Sequence, residues 1–119
     1  MVNKAVLDLS RLQEAFEDDV AGIADLLEMA LGTGAKHTKT LRDGIAAADL
    51  TAVAKAAHGI KGSASNIGAP GVTAVAIQIE DRIRSGSWDG VAELAEALDA
   101  AYAALRETVA DYRRAITTA

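Results

Sequence analysis

The sequence predicts an all-α fold, an up-down-up-down antiparallel four-helix bundle with a short extra N-terminal helix. Three observations carry this. Apolar residues recur at three- and four-residue spacing along most of the chain, the period of a helix that buries one face. Proline occurs once, at Pro70, so little interrupts long helices. Half of the residues are hydrophobic but only 3% are aromatic, and much of that half is alanine, the best helix former. No strand-like alternation and no internal repeat is evident.

Taken in order, residues 1–8 read as a loose start. Ser10 is placed to cap a short helix over 11–16, with Leu12 and Phe16 at i,i+4. Asp18 or Asp19 then caps a longer one. Its apolar positions are Val20, Ile23, Leu27, Ala30, Leu31, Leu41, Ile45 and Ala48. The spacing persists across Gly32-Thr33-Gly34, which predicts one helix over about 19–47, weakened or kinked at the glycines. Asp49 is the N-cap of the next helix, 50 to about 67, with Leu50, Val53, Ala54, Ala57, Ile60, Ala64 and Ile67 on one side. Gly68-Ala69-Pro70-Gly71 is a turn, with a C-terminal glycine and a proline suited to a helix start. Val72, Val75, Ala76, Ile79 and Ile83 mark the fourth helix, ending near Gly86. Ser87 or Asp89 caps the last helix, which runs to about Arg114 on a stripe from Val91 to Tyr112. Trp88 at the turn plugs the end of the core. Short connections make successive helices antiparallel neighbours.

The length, 119 residues, fits one domain spanning 1–119 with one core. No stretch approaches the roughly 20 apolar residues of a membrane span, and the start lacks the apolar core of a signal peptide. There is no cysteine, hence no disulfide and no thiolate metal site. A cytoplasmic location fits. The net charge of −5, without a basic cluster, argues against nucleic acid as the main partner.

Chemistry concentrates on the helix at 50–67. His58, Lys61 and Gly62 stand at i, i+3 and i+4, side by side on one surface, about 120° from the middle of the apolar stripe. A neutral imidazole is a good nucleophile and can carry a covalent phosphoryl group. Lys61 brings positive charge to one that spreads negative charge over its oxygens; Lys55 lies one turn the other way. Glycine in mid-helix costs about 1 kcal/mol against alanine. Gly62 therefore either admits a partner to the imidazole or allows close helix packing. Ser65 either bonds a phosphoryl oxygen or merely solvates the face. Ser63 and Asn66 read equally as packing or capping residues. Glu80 follows from register. It and His58 both lie 11 residues from a turn centred at 69, so antiparallel helices place them opposite. A carboxylate there accepts from Nδ1–H and leaves Nε2 free, or simply pairs with Lys61 or Arg84. Gln78 is the fallback.

These residues carry a family resemblance. His58-x-x-Lys61-Gly62-Ser63, followed by Gly68-Ala69, resembles the signature of the histidine-containing phosphotransfer (HPt) domains of two-component phosphorelays. Leu9 to Phe16 is similar to the family's N-terminal helix, Ala48-Asp49-Leu50 to the turn before the histidine helix, and Glu80 to Ser87 to the end of the next. The resemblance implies that His58 is the phosphoacceptor. It exchanges a phosphoryl group with the phosphoaspartate of response-regulator receiver domains, in a relay that includes a sensor or hybrid histidine kinase. It implies no cofactor or metal of the chain's own, with Mg²⁺ brought by the receiver, and a monomer that contacts neither nucleic acid nor membrane. There is no ATP-binding segment, so the chain is a phosphotransfer intermediate without ATP-dependent kinase activity.

Two competing readings stand beside this one. The first is a non-phosphorylated helical adaptor that docks receivers or kinases, although such an adaptor needs no nucleophile. The second is the phosphoacceptor domain of a chemotaxis-type kinase. Gly32-Thr33-Gly34-Ala35-Lys36-His37-Thr38 lacks the contiguous Gly-Lys-Ser/Thr of a P-loop, and no strand precedes it. His37 has no matching ligand partner for a metal.

Overall fold

The computed structural model describes residues 2–118; Met1 and Ala119 lie outside the described residues. Five helices follow one another: α1 (Ser10–Ala15), α2 (Val20–Ala46), α3 (Leu50–Ile67), α4 (Pro70–Arg84) and α5 (Val91–Thr118). No strand forms among the described residues. Helices α2, α3, α4 and α5 pack against their sequence neighbours, and α5 closes back on α2, giving the expected four-helix bundle with α1 laid on α2. The molecule is elongated, 48 × 22 × 21 Å, as a 28-residue helix rising about 1.5 Å per residue requires.

Local signals set most of the boundaries. The Asp19 side chain accepts from Gly22 N at 3.1 Å, and Asp49 does the same for Ala52 N at 3.1 Å. Each satisfies a backbone donor that a helix start leaves open. Gly68 ends α3 with φ +82°, where a side chain is strained, and its carbonyl accepts from Asp8 N at 2.7 Å. Pro70 opens α4, where its missing N–H has no consequence. The stripes then close on one core, with Ile23, Leu27, Leu41, Val53, Ile60, Ile79, Leu98 and Leu105 fully buried.

Several expectations are corrected. Residues 2–8 are tied down, not loose: Leu7 is fully buried and Asp8 bonds to the α3–α4 turn. Ser10 does not cap α1; Asp8 Oδ1 takes both Ser10 N (3.0 Å) and Ser10 Oγ (2.6 Å). The long helix through Gly32-Thr33-Gly34 is as expected, α2 running unbroken across these residues. Gly34 is there for close approach, since a Cβ would fall 2.5 Å from Tyr102 Oη on α5. Val20, Leu50 and Phe16 are exposed, each at or just beyond a helix end. Ala48 lies outside α2, exposed in the turn at φ +52°. Neither Ser87 nor Asp89 caps α5, whose helical bonding opens at the Gly90 carbonyl, which accepts from Leu94 N at 2.9 Å. That helix also runs past Arg114, to Thr118. Trp88 is half-buried against the end of the core, as expected.

Candidate functional site

The site is assembled where α3 crosses α4. On α4, Ala76, Ile79 and Ile83 face the core, and Glu80 lies on the same inward stripe, four residues after Ala76 and three before Ile83. It is the buried charged residue among those described, its side chain 4% exposed. Burying a carboxylate is costly unless it is paired and hydrogen-bonded, and here three donors converge on it. Lys61 Nζ reaches Oε1 at 2.8 Å, His58 Nδ1 lies 3.0 Å from Oε2, and Arg84 Nη2 lies 3.2 Å from the same oxygen. These contacts hold the Glu80 carboxyl below its ordinary range. The Lys61 hydrogen bond is the largest cause, burial opposes it, and the His58 bond and the Arg84 charge add to the lowering.

An ionised carboxylate only accepts hydrogen bonds. The proton of a neutral His58 therefore sits on Nδ1, directed at Glu80, and Nε2 keeps its lone pair. The imidazole side chain is 65% exposed, so that lone pair faces outward on a ring whose inner edge is fixed. Next to it, Gly62 is exposed, and a Cβ placed there meets no atom within 4 Å. The gap at Gly62 is not filled by helix packing within this chain.

The structure thus brings together His58, Lys61, Gly62 and Glu80. Glu80 contacts the imidazole and pairs with both cations, from a buried position and not in solvent. Ser65 is not brought to the imidazole: it lies seven residues on, about 10 Å along the helix axis. Gln78 is exposed and is not the partner of His58. Lys55 is exposed on the flank of α3, Ser63 is half-buried and Asn66 exposed. Arg84 joins the site as a further partner of Glu80, and its i,i+4 spacing from Glu80 is the signal that places it. His37 stands apart, half-buried on α2, its ring over Gly59 of α3.

Residues 25–108 match the model of the Hpt domain family, a span well over half the chain that includes every residue of this site. The chain belongs to the Hpt family. Among solved structures, histidine-containing phosphotransfer protein B (HptB) from Pseudomonas aeruginosa PAO1 superposes with a TM-score of 0.83 at 27% identity. The match covers 91% of this chain and 94% of that one, so the Hpt likeness extends beyond residues 25–108. No curated protein matches the chain. Among the described residues, no helix is long and apolar enough to cross a membrane.

Proposed function

We propose that His58 is the phosphoacceptor through which this Hpt domain performs its phosphorelay function. The observation that carries the assignment is the exposed imidazole held at Nδ1 by a buried carboxylate. In transfer, the Nε2 lone pair forms the N–P bond. The P–O bond of a receiver phosphoaspartate breaks, and its electron pair returns to the aspartate carboxylate. The ring becomes a phosphorylated imidazolium that keeps its Nδ1 proton against Glu80, and Glu80 stabilises that positive charge. The reverse step regenerates the neutral ring, so the group can go back or on to a second receiver.

Lys61 supplies positive charge beside the phosphoryl oxygens while bonded to Glu80, and Gly62 leaves room for the partner's active site. Hpt domains work between kinases and receiver domains. The receiver brings the Mg²⁺ and most of the catalytic groups, and this domain acts in the cytoplasm as a monomer that takes no phosphate from ATP. The test is incubation with a panel of phosphorylated receivers, following the label. The expected adduct is labile to acid and survives alkali, as a phosphoramidate does; an acid-stable adduct would assign the phosphate to Ser or Thr and overturn the proposal.

A further inference from the structure

Residues 62–79 hold no Asp, Glu, Lys or Arg, the longest such run in a chain that is 24% charged. The run covers the last turns of α3, the turn at Gly68-Ala69 and α4 as far as Ile79. Core packing accounts for part of it, since Ala64, Ile67, Val72, Ala76 and Ile79 are buried. It does not account for the outer side, where Gly62, Ser65, Asn66, Ala74, Ile77 and Gln78 are exposed. Exposed helix faces ordinarily carry charge. In the other direction from His58 these same helices do so, with Lys55, Asp81, Arg82 and Arg84 all exposed. The uncharged surface is also concave. Ser65, Pro70, Thr73, Ala74 and Ile77 line a cleft of about 430 Å³, which Lys4 and Asp8 of the leading segment border. Ile77 is 40% exposed and lies three residues before Glu80.

We infer that this charge-free end of the α3–α4 hairpin is where a receiver domain docks, seating an apolar side chain of its own in the cleft against Ile77 while its phosphoaspartate meets His58. The inference rests on reading His58 as the phosphoacceptor. A receiver that reaches Nε2 must cover the surface around it. One side of an ordinary interface is about 800 Å², a disc of roughly 16 Å radius. Ser65, at the near end of the cleft, is about 10 Å along α3 from His58 and falls within that disc. Gly62 lies between the two, so the surface is continuous with the open face beside the imidazole. Depletion of charge is what marks the buried centre of an interface, and charged residues belong to its rim. That places the centre toward the hairpin end and the rim at Lys55, Asp81 and Arg84.

The experiment uses the whole chain and a receiver that labels wild type. Ile77→Asp puts an unpaired charge in the cleft, and Ile77→Ala removes apolar contact. Ala104→Asp is the control, exposed on α5, which packs on α2 and α4. A docking side chain holds ground state and transition state alike, so its loss raises KM and spares kcat. Ile77→Asp raises KM at least about tenfold and Ile77→Ala about three- to fivefold. Both keep kcat within about twofold of wild type, and Ala104→Asp matches wild type. Calorimetric titration of each variant with unphosphorylated receiver shows the same losses as weaker binding, with no transfer involved. Thermal melting checks that the variants fold, and Ala74→Glu brings the same charge to an exposed neighbour should Ile77→Asp unfold. Unchanged KM and binding in the charged variants overturn the inference. So does a loss confined to kcat, which would tie Ile77 to the transfer step. Self-association of wild type that Ile77→Asp abolishes would assign the surface to a second copy and overturn it as well. If His58→Gln still takes label, the phosphoacceptor assignment fails, while receiver binding to Ile77→Asp still decides the docking surface.

Discussion

Each of the two histidines of this chain sits beside a glycine, and the two pairs do opposite things. His58 and Gly62 share the open face of α3: the imidazole is mostly exposed, and the space beside Gly62 is empty. His37 and Gly59 share the seam between α2 and α3, where a Cβ on Gly59 would fall 2.8 Å from the His37 ring. In the seam, glycine lets one helix approach a ring on another. On the open face, glycine leaves a gap that no described residue fills. Gly34 behaves like Gly59, at the seam between α2 and α5 under the Tyr102 ring. A helix glycine therefore has no meaning until its neighbour across the interface is known.

The largest expected effect separates the histidines. His58→Gln folds and accepts no phosphoryl group, whereas His37→Gln accepts it at the wild-type level. Equal labelling of His58→Gln and wild type would show that the open face is not the acceptor.

The glycines come next. Gly62→Gln blocks transfer at least tenfold and keeps or raises thermal stability, by up to about 1 kcal/mol, because it replaces a poor helix former on an exposed position. Gly34→Ala loses about 1–3 kcal/mol, because the buried Tyr102 ring must shift. Thermal unfolding of both variants checks this. Unfolding of Gly62→Gln would transfer Gly62 to the packing class.

Lys61 gives a smaller effect. Lys61→Ala slows transfer by about tenfold or less, the low end for a lost donor at developing charge, since the face is open and the receiver brings its own cations. Lys61→Arg keeps much of the rate, and Lys61→Met resembles alanine. Rates are measured at saturating receiver, with docking affinity determined separately. A Met variant equal to wild type in both would reduce Lys61 to a partner of Glu80.

The smallest effect is on stability. The Glu80 carboxyl is held below its unfolded value of about 4.5, so its contribution is complete above that pH and is lost as pH falls through the lowered native value. Glu80→Gln costs about 1–2 kcal/mol at pH 7, less than for a fully buried pair because His58 and Arg84 can turn to water. The gap between the two proteins should narrow in melting experiments below pH 4.5. A gap constant from pH 7 to 3 would mean that the charge of Glu80 does not stabilise the fold.

What the sequence by itself determined is local or follows from counting. Asp49, Gly68 and Pro70 each act on backbone groups within a few residues, so α3 and its turn were legible to the residue. The position of Glu80 opposite His58 follows from a tight turn and two regular helices, which leave the register little freedom. The tertiary structure decided whatever depends on a neighbour distant in sequence. Leu7 belongs to no periodic segment, and its burial comes from the chain folding back along the α3–α4 turn. Leu50 and Val20 lie in phase with buried stripes yet are exposed, because periodicity gives the direction of a side chain and not whether another element covers it. The use of one carboxylate by His58, Lys61 and Arg84 at once was settled only by packing, since three donors crowd onto two oxygens where water is excluded.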